Sequence, residues 1–512
     1  MRNIFFLILS CFCLLSVHAQ NETSKDHISL AGIWNFKLDP LNISIPVKGS
    51  NFVSRFPEEI TLPGSTDQAG KGFKTQDMSS LRLTRMFEYS GAAWYEKENI
   101  FIPESWKDQL LFLFLERVHW ESQVWINGKF VGKEESLSTP HLYDITSYVK
   151  FGDWNTVRIR VDNGNIHDIA YTHAISAETQ TNWNGIIGRM EIQAVSKVHI
   201  TDVQIYPLQK EKRLKIVAQI ANHSNLPVKG DIRIRCHFLN DSQLLHLNEK
   251  NTTFNSSDSL IRLVHYYDLG DKLYTWDEFE PNLYEIDYEI KCCGKSDVQK
   301  IKFGIRDFGT KGTHFTINDI PTFIRGAVNS CEFPITGYPP MSYEEWKKVM
   351  KVYKDYGFNC IRFHSWCPPE SAFQVADELG LYLQVENSDW RFTVGEDEAT
   401  NAFYLDEVQR IFKEYGNHPS FAFFCEGNEL VGKDCVDFLK EMLTEWKKDS
   451  RHLYVAASGY PTVEGSDFFD FYGARPQRWQ EGLKGRFNSQ PLNTRYDYID
   501  YVKKFSIPMV TH

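Results

Sequence analysis

The sequence predicts a multidomain chain: two β-rich units, then a (β/α)8 TIM barrel missing its last unit. Three observations predict it. The 512 residues exceed what one ordinary core serves. From about residue 28 to 308, short apolar or alternating runs recur between turn signals, with helical periodicity nearly absent. After about residue 310, strand-like runs alternate with helical ones, which is the signature of a parallel sheet with helices outside.

The N-terminus reads as a targeting segment. Arg2 supplies a positive start, Ile4 to Val17 is almost unbroken apolar, and Val17-His18-Ala19 places small residues at the cleavage positions. The run is too short for a membrane span. Residues 1–19 are therefore expected to be a signal peptide, and the mature protein to be periplasmic or extracellular with no membrane span. Eight Cys remain beyond it, scattered except for Cys292-Cys293 and without the C-x-x-C spacing of a zinc site. Buried free thiols are the expectation, and no metal or cofactor is called for.

Residues 28–196 form the first β unit, a sandwich or jelly roll. Asn127-Gly128 between Val124-Trp125-Ile126 and Phe130-Val131 is a strong hairpin signal, because both turn positions need positive φ. Residues 197–308 form the second, with strands Val198 to Tyr206, Leu214 to Ile220, Gly230 to Phe238 and Tyr284 to Ile290 at sandwich spacing. Few polar residues there could do chemistry, so it reads as a spacer.

Residues 309–512 carry the βα series. Its seven expected strands are Phe323 to Val328, Asn359 to His364, Leu381 to Val385, Phe421 to Cys425, Leu453 to Ala457, Phe468 to Tyr472 and Ile507 to Thr511. Ser342 and Glu345 make a capping box for the first helix, whose apolar face is Trp346, Val349, Met350 and Tyr353. Further helices run from Pro369 to Leu379 and Ala399 to Tyr415, and another is marked by Val436, Leu439, Leu443 and Trp446.

The net charge of -11 argues against a nucleic-acid partner. The 13 Trp suit β-rich cores first and sugar stacking second. A barrel presents its chemistry at the C-terminal strand ends. Strand two ends there with Arg362 and His364, and strand three with Glu386 and Asn387. Strand four ends with Asn428 and Glu429, strand six near Tyr472, and strand seven with Thr511 and His512. Carboxylate, amide, imidazole, guanidinium and phenol together suit acid/base work on a polyhydroxylated substrate.

The run His418-Pro419-Ser420-Phe421-Ala422-Phe423-Phe424-Cys425-Glu426-Gly427-Asn428-Glu429 resembles the acid/base signature of glycoside hydrolase family 2 (β-galactosidase/β-glucuronidase-like). Phe424-Cys425-Glu426 stands where the family usually has Trp-Ser-Leu. The resemblance extends over nearly the whole chain. Ala93-Trp94-Tyr95, Val124-Trp125-Ile126-Asn127-Gly128, Tyr143-Asp144-Ile145-Thr146 and Trp183-Asn184-Gly185-Ile186 are similar to its galactose-binding-like, sugar-binding jelly roll. Phe303-Gly304-Ile305-Arg306 is similar to the end of its immunoglobulin-like β-sandwich, and Phe315-Thr316-Ile317-Asn318 with Ile324-Arg325-Gly326 to its entry into the barrel. Asn359-Cys360-Ile361-Arg362 is similar to its strand-two signature, which here continues through His364-Ser365-Trp366 rather than His-Tyr-Pro.

The resemblance implies a retaining exo-glycosidase that works by double displacement on oligo- or polysaccharides. Glu429 would be the general acid/base and Asn428 the ligand of the sugar 2-hydroxyl. Arg362 would hold the nucleophile ionised. Glu386, His364, Trp366, Tyr472 and His512 would contact or support the substrate. The nucleophile Glu of the family ends strand seven, which places it directly after His512 and outside this chain. Asp467, Asp470 and Glu464 belong to the wrong loops to replace it. β-Galactosidase-like is the default, since no Asn-x-Lys pair for a uronate carboxylate stands out at the barrel mouth. The alternatives are a non-catalytic carbohydrate-binding or degenerate member, and a metal-dependent barrel hydrolase, for which no H-E-x-x-H or calcium-loop pattern speaks. Gly64 to Lys71 has the wrong spacing for a phosphate loop. Oligomeric state is not legible.

Overall fold

A computed structural model describes residues 26–44, 56–76, 85–176, 181–239, 248–271, 273–471 and 503–511. The expected signal peptide, Tyr472 and His512 lie outside the described residues.

The first β unit is a pair of antiparallel sheets. One runs in the order Asp26–Ser29, Gly185–Val195, Leu110–His119, His141–Asp144, with Gly64–Ser65 beside Gly185–Val195. The other runs Lys129–Glu135, Glu121–Ile126, Asp153–Asp162, Ala92–Ile102, Gly32–Asp39, Glu58–Leu62. Alternation along each strand turns Trp34, Tyr95, Leu113, Ile159 and Ile192 into one shared core. The Asn127-Gly128 hairpin forms with φ of 51° and 79°, the two left-handed positions a tight right-twisted turn demands.

The second unit packs the sheet Val198–Leu208, Arg213–Asn222, Leu260–Asp268 on the sheet Lys250–Ser256, Val228–Phe238, Tyr284–Cys292, Lys295–Phe303. It touches the βα region through polar contacts. Asn417 Nδ2 donates to Val203 O at 2.8 Å, and Arg306 donates to the carbonyls of Pro419, Arg451 and Phe421 at 2.5, 2.9 and 2.7 Å. Arg306 thus fixes the entry of the strand that carries the Asn-Glu pair.

Each of the seven expected parallel runs holds a strand: Gly326–Asn329, Cys360–Phe363, Tyr382–Asp389, Phe421–Gly427, Leu453–Val455, Phe469–Phe471 and Met509–Thr511. The first five form one parallel sheet in sequence order. Bridges Asn428 to Ser458 and Ser458 to Asp470 lead from the fourth strand towards the sixth, and the sixth pairs in parallel with the seventh. Among the described residues four α-helices accompany them: α1 (Tyr343–Asp355), α2 (Glu370–Leu379), α3 (Glu398–Tyr415) and α4 (Cys435–Trp446). The Ser342 hydroxyl caps α1 by accepting from Glu345 N, and it also donates to the Glu345 carboxylate at 2.5 Å. No helix among the described residues is long and apolar enough to cross a membrane.

Strand alternation divides the region into two cores. Ile361, Phe363, Leu383, Val385 and Phe424 face the helices and pack with Trp346, Phe373, Val408 and Leu439. Cys360, Tyr382, Phe423, Leu453 and Phe468 face the other way, onto Phe308 and Phe315 of an antiparallel meander, Phe308–Lys311, His314–Ile317 and Ile320–Thr322. Positions 362, 384 and 386 continue this second face past the apolar layer, and they are polar. The eight described Cys are free thiols, seven of them buried, and only Cys293 is exposed.

Candidate active site

Residues at the ends of strands two, three, four and six meet in a buried polar cluster. Arg362 Nε donates to Glu386 Oε1 at 2.6 Å, and its Nη2 donates to Asn428 Oδ1 at 2.8 Å. Asp470 Oδ2 lies 3.6 Å from Arg362 Nε and accepts from Gln384 Nε2 at 2.9 Å and Ser458 Oγ at 2.5 Å. Glu386 also accepts from Ser365 N at 2.6 Å and Gln384 Nε2 at 3.2 Å. Burial opposes the Arg362 charge, yet Glu386 and Asp470 carry its pKa above the ordinary guanidinium value. Its Nη1 is buried and makes no hydrogen bond to a described residue.

Glu429 stands next to this floor and is half-buried. Its φ of 50° is left-handed, which turns the chain sharply at the strand end. Two backbone bonds hold the turn: Glu429 N to Ser458 O at 2.7 Å and Asn428 N to Asp389 O at 3.0 Å. Gly459 is also required, because a Cβ there would come within 3.0 Å of Glu429 Cγ. The arrangement therefore offers one solvent-reaching carboxyl beside an amide that a buried guanidinium orients. That is acid/base chemistry next to a hydroxyl-binding group.

Family comparisons bear on the same chain. A model of the family 2 glycosyl hydrolase sugar-binding domain matches residues 28–189, and a second family 2 model matches residues 198–306. Together they take in more than half of the chain. The chain belongs to glycosyl hydrolase family 2. A β-galactosidase of Priestia megaterium is 26% identical over 377 residues, 69% of this chain and 35% of that protein. The solved β-glucuronidase of Bacteroides uniformis superposes with a TM-score of 0.73 at 17% identity, covering 88% of this chain and 55% of that one. The β-glucuronidase of Ruminococcus gnavus gives 0.73 at 19% identity, covering 96% and 84%. The chain spans 35% and 56% of the length of the first two curated relatives it matches.

Of the residues the family resemblance singled out, Arg362, Glu386, Asn428 and Glu429 are brought together, and His364 lies one strand step beyond Arg362. Trp366 is a correction. It is 2% exposed, donates its indole N–H to Asn329 O at 2.9 Å, and packs on Phe363, Trp346 and Phe333, so no face is left for a sugar. Burial of a large apolar ring between sheet and helix decided its place. Asp470 is a second correction, for it reaches the cluster through Arg362, Gln384 and Ser458. Asp467 is held by Lys447 and by Tyr454 N, and the exposed Glu464 by Lys440.

Glu426, where family 2 usually has an apolar residue, points to the helix side. It is fully buried, accepts from Asn387 Nδ2 at 3.3 Å, and neighbours the Asp389–Arg391 ion pair of 2.9 Å. Arg391 is itself fully buried, stacked 4.4 Å over the Tyr404 ring, and it donates to Asn401 Oδ1 at 2.9 Å. Burial first, and the Asp389 charge second, push the Glu426 carboxyl well above its ordinary range. Two buried acids thus share one buried arginine behind Asn428.

The sequence reading also missed His173, Tyr171 and Trp390 beside His364. Trp390 follows directly after the third strand and was open to the strand-end argument. His173 and Tyr171 come from the first β unit, where no local pattern marks them.

Proposed function

We propose that this chain carries the acid/base half of a retaining exo-glycosidase that cleaves O-glycosidic bonds of oligo- or polysaccharides, with β-galactosides the first class to assay. The observation that carries the reading is the Asn428-Glu429 pair at the end of the fourth strand. Asn428 is oriented by Arg362, and Glu429 reaches solvent beside it. Membership of family 2 and the β-galactosidase and β-glucuronidase relatives support it.

In this reading the parallel strands belong to a (β/α)8 barrel, preceded by a jelly roll (28–196) and an immunoglobulin-like sandwich (197–308), in a protein exported by residues 1–19. The nucleophile is a carboxylate directly following His512, roughly 5 Å from Glu429 as retention requires. It attacks the anomeric carbon while the bond to the leaving oxygen breaks, and Glu429 gives that oxygen its proton. A glycosyl ester results. Glu429 then takes a proton from water, which displaces the carboxylate and releases the sugar with its configuration kept. Asn428 holds the 2-hydroxyl, and the Arg362 charge keeps the nucleophile ionised.

The test is hydrolysis of an aryl glycoside panel by a form that continues past His512. Activity that Glu429→Gln lowers by about 10² or more is expected, in line with the loss of a general acid/base. An equally active Glu429→Gln would sink the assignment.

A further inference from the structure

We propose that a segment of the first β unit, Asp168–His173, completes a carbohydrate subsite at the rim of this site, with Tyr171, Trp390 and Phe392 as its stacking wall. The proposal rests on the carbohydrate reading above and extends it to the sugar on the leaving-group side of the bond.

The wall is continuous with the floor. His364 is two residues beyond Arg362, and its ring lies 4.5 Å from His173 and 5.0 Å from Trp390. Trp390 lies 5.5 Å from His173 and 6.3 Å from Tyr171, which in turn lies 5.7 Å edge-on to Phe392. Exposure rises along this path. Arg362 and His364 are buried, His173 and Trp390 half-buried, Phe392 46% exposed and Tyr171 63% exposed. A chain of sugars with one end held on the floor would leave along this gradient.

The wall is also built rather than incidental. Ala170 bridges Trp390 in parallel, Thr172 Oγ1 donates to Ser365 O at 2.6 Å, and His173 N donates to Ser365 Oγ at 2.9 Å. Thr393 Oγ1 donates to Asp168 Oδ2 at 2.7 Å. Ala170 and Ser365 both take left-handed φ, 48° and 51°, a conformation that costs energy for such residues and persists where surroundings impose it. Val431 N donates to Arg391 O at 3.2 Å, so the Trp390–Phe392 segment runs beside the residues that follow Glu429, the acid on the leaving-group side.

Its chemistry fits a pyranose. Exposed aromatic faces next to imidazole, hydroxyl and carboxylate groups match a ring with an apolar C–H face and a polar edge. An aliphatic ligand would have no use for the polar flank.

The experiment titrates the protein with β-linked galacto-, manno- and gluco-oligosaccharides of one to four units and follows heat and tryptophan fluorescence. The expected result is that binding tightens from one unit to two or more, and that Tyr171→Ala and Phe392→Ala each weaken the longer ligands by about tenfold, the size of one aromatic contact, while monosaccharide binding stays unchanged. Tyr171→Phe should keep most of the affinity, because it keeps the ring. Longer sugars bound equally by the parent and the double alanine variant would overturn the subsite. So would no binding of any oligosaccharide; hydrolysis of aryl glycosides, assayed separately, would then decide the catalytic reading on its own.

Discussion

Arg362 Nε lies 2.6 Å from Glu386 Oε1, and this ion pair is enclosed, with side-chain exposures of 7% and 0%. It is the hub through which strands two, three, four and six are joined at their ends, since Arg362 also holds Asn428 and lies near Asp470. Removing Glu386 strips the buried cation of its nearest counter-charge. Glu386→Ala is expected to cost about 3 kcal/mol, the scale for breaking a buried pair from one side. Urea unfolding of the variant measures it, and a cost below about 1 kcal/mol would refute the role.

Glu429 combines the acid/base role proposed for it with a strained backbone. Its φ of 50° suits glycine, and the left-handed region costs a residue with a Cβ about 1 kcal/mol. Glu429→Gly should therefore raise the melting temperature while removing the carboxyl, whereas Glu429→Ala should give no such gain. Calorimetry on the two variants separates them.

Glu426 sets a pH dependence. Its folded pKa is raised, so the proton it carries stabilises the fold fully below its unfolded value of about 4.5, and that contribution is lost as pH rises through the folded value. Glu426→Gln keeps the shape without the titration. The stability difference between variant and parent should grow in the variant's favour as pH rises, and a pH-independent difference would contradict the buried acid.

His173 titrates in the opposite sense. Burial, and then the charge of Arg362, lower its pKa to about 4. Its neutral form stabilises the fold fully above the unfolded value of about 6.5, and this is lost as pH falls towards 4. Melting curves of the parent should fall over that window more steeply than those of His173→Phe.

Gly427 is required by contact, not by a turn. A Cβ there would stand 2.1 Å from Asp389 O, the carbonyl that accepts from Asn428 N. Gly427→Ala should cost about 2–3 kcal/mol, as overpacking against backbone does. It should also displace Asn428, which an altered amide resonance of residue 428 would report.

Much of the architecture was legible in the chain. The Asn127-Gly128 hairpin, the Ser342-Glu345 capping box and the continuous apolar run Phe421 to Cys425 are local devices, and local chemistry decides them. The Asn428-Glu429 pair was legible as well, because a strand followed by Gly-Asn-Glu is contiguous. Trp366 was misplaced since a tryptophan after a strand end serves a core or a mouth equally well, and only the neighbouring Trp346 and Phe333 decide between them. Asp470 was set aside because loop order says little about which side chains a parallel sheet brings within reach of one guanidinium.

Composition and periodicity therefore settle what kind of elements form, in what order, and which strand ends carry polar groups. They do so because helix, strand and turn preferences act over a few residues. Which of those polar groups share a charge network, that Glu426 faces the helices beside Arg391, and that His173 and Tyr171 cross from one unit to the strand ends of another were decided by the tertiary structure alone. These relationships join residues tens to hundreds of positions apart, and burial and electrostatics act on distance in space, which no local pattern encodes.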